Sequence, residues 1–219
     1  MPKLTESAIQ QALEYAYEKA FDGFPGTDSA IELAQSYKEK FPGDKAEQVN
    51  ALVNWQIAAG ATSGFITGLG GLMTFPVSIP ANLASVLFIQ TRMIMAIAVI
   101  GGHDPKDERV KTLALSCLAG NAVKDILKEV GIEAGKKIIL KTVIGQISQG
   151  TLTRVSRVVS FRLLAKFGTN LGKLIPLIGG IIGGTMDAIW VASVGKIAKQ
   201  IFISDSEILS EEENNGVSH

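Results

Sequence analysis

Between Glu47 and Arg92 the chain carries no Asp, Glu, Lys or Arg, and Arg92 is then the only such charge before Asp104. A soluble helical domain seldom runs that far uncharged, so this stretch must be buried in protein or lie against lipid. It holds Gly60-Ala-Thr-Ser-Gly64-Phe-Ile-Thr-Gly68, two overlapping G-x-x-x-G steps that set three glycines on one helix face. Another backbone can approach such a face closely, and in lipid that approach is a main source of helix association. In water each glycine costs a helix about 1 kcal/mol relative to alanine, so three of them need a packing reason. Gly60, Gly64 and Gly68 are therefore expected at a helix packing or membrane contact.

The same stretch continues through Gly70-Gly-Leu-Met-Thr-Phe-Pro76-Val-Ser-Ile-Pro80, whose glycine pair and two prolines break the chain, with Pro80 suited to the first turn of a new helix. That helix is expected from Ala81 to Gly101, about long enough to cross a hydrocarbon core of ~30 Å. Asn82, Ser85, Gln90 and Arg92 argue against a clean span, and Asn82, Ser85 and Arg92 share one side at helical spacing, as in a buried soluble helix. A re-entrant or interfacial hairpin fits better than two spans.

A second apolar block, Leu171 to Gly195, repeats the recipe. Gly180 and Gly184 are four apart, as are Gly179 and Gly183, which adds Gly180 and Gly184 to the expected packing or membrane contact. Asp187 is the only ionisable group between Lys173 and Lys196. An isolated charge in an apolar helix needs a partner, so Arg92 and Asp187 are a candidate buried ion pair.

Around these blocks the punctuation is that of ordinary helices. A pattern from about Thr5 to Phe21 stops at Asp22-Gly-Phe-Pro-Gly26; a second starts at Thr27-Asp28-Ser29 and runs to Lys40; Asp44 with Glu47 at N3 can open a third. Asp104 is an apt N-cap with Pro105 at N1, for a helix expected to end near Gly131. The whole reads as all-α, a glycine-rich helical bundle with two apolar hairpin-like segments. Its expected divisions are an N-terminal helical arm (1–43), a helical domain (44–202) and a disordered acidic tail (203–219).

Charge excludes some partners. With 21 basic and 21 acidic residues the chain has no global field for nucleic acid, and none is expected. Locally, Ala134 to Lys173 holds no acid but carries Lys136, Lys137, Lys141, Arg154, Arg157, Arg162 and Lys166, a basic surface for which anionic phospholipid headgroups are fitting partners. The alternative is a set of solvated helix faces balanced by acids elsewhere. The polar start of the chain lacks the features of a secretory signal, and one cysteine, Cys117, offers no disulfide framework. A cytoplasmic, membrane-associated protein is expected.

The inventory for catalysis is poor: two histidines, one cysteine, and no H-E-x-x-H, G-x-S-x-G or Walker A pattern. Gly179-Gly-Ile-Ile-Gly-Gly lacks the flanking strand and acid of a dinucleotide fingerprint, and the glycines and lysines at 131–137 only superficially suggest a phosphate loop. His103-Asp104 could serve as an oriented base toward a hydroxyl such as Ser78, but in this loop the pair reads as a cap and a loop histidine. No catalytic residue, cofactor or metal is assigned.

Five segments occurring in order carry a resemblance: Gly70-Gly-Leu-Met-Thr-Phe-Pro, Gln90-Thr-Arg-Met-Ile with Ala96-Ile, Gly102-His-Asp-Pro, Arg162-Leu-Leu-Ala-Lys-Phe-Gly and Leu171-Gly-Lys-Leu-Ile-Pro-Leu-Ile-Gly-Gly. The chain resembles the EcsC family over about Asn50 to Gly195. The family's namesake is encoded alongside the components of an ABC-type exporter, so the resemblance implies a membrane context and no particular reaction. The expected function is that of a membrane-associated helical accessory protein of transport, secretion or envelope maintenance, with membrane lipids and a membrane protein as partners and self-association open to its glycine helices. Two alternatives stand beside it: a soluble helical carrier of a lipid or apolar ligand, and a membrane-perturbing protein or its neutraliser.

Overall fold

The first three helix starts in this chain are set by short polar side chains. The Thr5 hydroxyl accepts from the Ala8 N–H and opens α1 (Glu6–Asp22), which ends at Gly23 with φ +80. Ser29 and Glu32 form a reciprocal capping box that opens α2 (Ala30–Lys40). The Asp44 carboxylate accepts from the N–H groups of Ala46 (2.7 Å) and Glu47 (3.0 Å) at the start of α3 (Lys45–Gly60). There follow α4 (Ala81–Gly101), α5 (Glu108–Cys117), a 3-10 turn at Gly120–Ala122, α6 (Val123–Glu129), α7 (Thr151–Gly168) and α8 (Ile182–Phe202).

This computed structural model describes residues 5–24, 26–60, 81–132, 143, 145–147, 150–168 and 182–203, with backbone alone at 60, 81–83, 165–168 and 182–187. Among the described residues the fold is all-α; the one extended feature is an isolated bridge between Phe24 and Thr27. The expected hairpin around 61–80 and the tail beyond 203 lie outside the described residues.

The helix after α4 starts later and ends sooner than the sequence predicts. Asp104 caps only a turn, accepting from the Lys106 N–H at 2.8 Å, and the helix opens three residues later, where the Asp107 carboxylate accepts from the Arg109 N–H. Nor does that helix run unbroken to Gly131. It stops at Cys117, turns through Gly120 at φ +57, and resumes as α6 as far as Glu129, two residues before Gly131 at φ +83.

The core is organised around α4. Alone among the described helices it is long and apolar enough to cross a membrane, yet 83% of its Ala84–Gly101 window is buried inside the fold. α1, α2, α3, α5 and α8 all pack on it. Phe88, Met93, Ile94, Ile97 and Ile100 are buried there with Ile9, Leu13, Leu52 and Leu113 of its neighbours. α1 and α2, expected as an arm over 1–43, thus contribute to the central core.

Polar contacts fix the helix directions. Lys38, late in α2, donates to the Val99 carbonyl (3.0 Å), and Lys45, at the start of α3, donates to the Gly101 carbonyl (3.1 Å). α3 is therefore antiparallel to α4. Lys199 donates to Asn50 Oδ1 (3.1 Å) and Gly195 lies against Val53, which sets α8 antiparallel to α3; His103 Nε2 lies 3.1 Å from the Phe202 carbonyl, at the shared end of α4 and α8. The last turn of α3 and the first turns of α4 and α8 consequently share the opposite end of the molecule. Gly60, Ala81 and Ile182, the residues next to both charge-poor glycine-rich segments, all lie there.

Candidate functional site

The most unusual group inside the fold is Arg92, a cation on the central helix that is 4% exposed. Ser85, Phe88 and Arg92 recur at three and seven residues, so they share the face of α4 turned to the α1–α2 loop. There Arg92 Nη1 donates to the Asp28 carbonyl (3.0 Å), its guanidinium lies 5.4 Å from the centre of the Phe88 ring, and Phe24 packs edge-on against Phe88 at 5.1 Å. Arg92 Nε has no hydrogen-bond partner. Burial holds the guanidinium pKa below its usual range, partly offset by the nearby Asp28 carboxylate. Asp187, proposed from sequence as its ion-pair partner, stands on α8 with a side chain outside the described residues.

Above Arg92 the loop forms an open cleft of about 580 Å³ lined by Asp22, Phe24, Thr27, Asp28 and Glu32. Its rim is acidic, but the Glu32 carboxylate is committed to the Ser29 cap, and no group of three potential metal ligands occurs among the described residues.

At the far end of α4 the Gly102-His-Asp-Pro segment closes the helix. Gly102 at φ +94 lets the chain turn, the His103 N–H donates to the Ala98 carbonyl (2.9 Å), and the Tyr17 hydroxyl donates to the Pro105 carbonyl (2.9 Å). The imidazole faces a carbonyl, which can only accept, so its Nε2 carries the proton. That leaves His103 a positioned donor at a helix end, as its loop setting suggested. Cys117 is fully buried and its thiol pKa is pushed up by burial, the opposite of a reactive thiolate.

The basic region divides. Arg154 and Arg157 stand exposed on α7, and Arg162 donates to Glu129 at 3.2 Å. Lys136, Lys137 and Lys141 lie outside the described residues, and Lys166 is described by backbone alone. Of the expected packing glycines, Gly60 ends α3 and Gly184 lies in the first turn of α8; Gly64, Gly68 and Gly180 lie outside. Close approach is visible at other glycines. A Cβ on Gly101 would overlap the Phe202 carbonyl oxygen, one on Gly195 would meet Val53 at 2.7 Å, and one on Gly120 would meet Ser193 Oγ at 2.7 Å. Gly195, single in the interior of an apolar helix, carried a readable signal; nothing in sequence announces that Gly101 faces α8.

Three large apolar side chains are left in solvent at functionally suggestive places: Trp55 on α3 (46% exposed), Ile189 on α8 (66%) and Phe161 on α7 (62%). Trp55 and Ile189 lie toward the end shared by Gly60 and Ile182, since Val53 pairs with Gly195 across the antiparallel α3–α8 contact. No curated protein and no solved structure matches the chain. The family model described as "EcsC protein family" matches residues 1–203, which takes in α1 and α2 as well as the later segments. The chain belongs to the EcsC protein family.

Proposed function

We propose that this protein is a membrane-associated helical protein that serves transport, secretion or envelope maintenance as an accessory, without a reaction of its own, meeting the bilayer with the end of the bundle where α3 stops and α4 and α8 begin. The observation that carries the reading is the convergence of Gly60, Ala81 and Ile182 at one end, because the chain between and beside them is the least charged in the molecule. Exposed Trp55 and Ile189 on the flank toward that end support the same orientation, tryptophan being suited to the boundary between headgroups and acyl chains. The burial of α4 favours a protein that attaches through one end while its bundle stays folded. A membrane protein is the natural partner for such an accessory, and cytoplasmic-side attachment follows the expectation drawn from sequence.

Fractionation of the natively expressed protein tests this. Membranes are washed with high salt, then carbonate, then detergent, with flotation on liposomes alongside. The expected outcome is recovery with membranes and release by carbonate. A protein found wholly in the soluble fraction that fails to float with any vesicle would sink the membrane reading.

A further inference from the structure

The helix α7 is amphipathic in an unusual way. Val155, Val159 and Leu163 are buried along one side, and α7 packs on α1 and α5. On the other side Arg154, Arg157 and Phe161 are exposed, and their spacings of three and four residues place them in a single stripe. Neither arginine meets a carboxylate among the described residues: the two ion pairs there are Arg109 with Asp107 and Arg162 with Glu129. Arg154 has only a long contact to the Thr151 hydroxyl, 3.5 Å. Two cations without acidic partners among the described residues therefore share a stripe with a phenyl ring that is 62% exposed.

We infer that this stripe is a docking surface for an anionic phospholipid bilayer, with Phe161 entering the headgroup layer and Arg154 and Arg157 each engaging a lipid phosphate. The inference rests on the membrane reading and adds an electrostatic contact to it. Charge complementarity selects the partner: α7 contains no acid, and no Asp or Glu occurs anywhere from Ala134 to Lys173. A guanidinium grips phosphate oxygens through paired N–H donors, and an aromatic ring beside it gains from leaving water at the interface. A bilayer also satisfies both requirements at once, offering phosphate to the guanidinium groups and an apolar layer to the ring.

The test is flotation of the purified full-length protein with two vesicles, phosphatidylcholine alone and phosphatidylcholine mixed with phosphatidylglycerol. Wild type is expected to bind the anionic vesicles more tightly, and less so as salt rises. Each arginine near a charged surface contributes about fivefold in affinity, so Arg154→Gln with Arg157→Gln should weaken anionic binding by roughly 25-fold, against a smaller loss on neutral vesicles, whose phosphates the guanidinium groups also meet without a net negative surface. Phe161→Ser should weaken both. All three side chains are exposed, and thermal melts matching wild type establish that the variants fold; Arg157→Gln alone serves if the double variant does not. If wild type floats and the variants float equally well, the stripe is not a contact and the membrane reading survives. If wild type floats with neither vesicle, both fail. Arginine-dependent binding to duplex DNA or polyglutamate, without binding to vesicles, would overturn the lipid assignment.

Discussion

A guanidinium that is 4% exposed and has one carbonyl partner is an expensive occupant of a core, because burying a charge is only partly repaid by one hydrogen bond and a ring contact. Methionine fills a similar volume without that cost, and the Asp28 carbonyl beside the open cleft can turn to water. Arg92→Met is therefore expected to lie within about 1 kcal/mol of wild type in urea unfolding, whereas Arg92→Ala, which leaves a void, should cost about 2–4 kcal/mol. Equal losses in both would mean that the polar contacts, not the volume, hold the loop. Two other buried groups set the alkaline limit of stability. Burial raises the Cys117 thiol pKa, and burial, with Asp104 and Asp107 adding to it, raises the Tyr17 phenol pKa. Both groups keep their protons in the folded state after the unfolded chain has lost them. Their stabilisation is complete below the unfolded pKa and declines as pH climbs from there toward the folded value, starting near pH ~8.5 for the thiol and ~10 for the phenol. Unfolding free energy should then fall by up to about 1.4 kcal/mol per pH unit for each group; Cys117→Ala should flatten the first limb and Tyr17→Phe part of the second, Tyr37 supplying the rest. A stability curve unchanged by either substitution would remove these groups as the cause.

Among helices, the glycines that matter are those pressed against another element. Gly101→Ala would drive a methyl into the backbone carbonyl of Phe202, which cannot rotate away, and a loss of about 1–3 kcal/mol in the free energy of urea unfolding is expected. Gly195→Ala meets only the Val53 side chain, and alanine regains about 1 kcal/mol of helix propensity, so the net loss should be smaller. The reverse order would place the tight contact at α3–α8 instead of α4–α8. How much of this was legible varies with the physics involved. Local chemistry was: Thr5, Ser29 and Asp44 open helices where short polar side chains precede apolar periodicity, and α4 spans Ala81–Gly101 as its flanking proline and glycines foretold. The Asp104 start was misplaced because two aspartates three apart both satisfy the cap rule, and only tertiary packing decides that Asp104 caps the turn holding Pro105 against Tyr17. The break at Gly120 was equally hidden, since it depends on Trp190 and Ser193 of a distant helix, which reach the Leu118 carbonyl and Asn121. Of the candidate site, Arg154 and Arg157 were readable as a basic stretch, but Phe161 beside them was not, because an apolar residue on a helix is ordinarily assigned to the core.

For the molecule as a whole, hydropathy could not tell protein from lipid as the surroundings of α4. Both environments favour the same residues, and only the packing of α1, α2, α3, α5 and α8 around that helix resolves the choice for the folded bundle. Insertion of α4 would require all five contacts to open, along with the lysine bonds from Lys38 and Lys45 that satisfy its last carbonyls. Those contacts tie α4 to five neighbours, so attachment at the glycine-rich end is expected to leave the bundle closed. Cys117 reports on this without any engineering: it is the chain's single cysteine, fully buried in α5, the helix that packs on α4, α7 and α8. With a water-soluble maleimide, labelling of the vesicle-bound protein is expected to be as slow as labelling of the free protein, and far slower than in denaturant. Labelling that accelerates on vesicles toward the denatured rate would mean that the bundle opens on the membrane and releases α4 to lipid; unchanged labelling together with full flotation would mean that the folded bundle itself is the membrane-bound form.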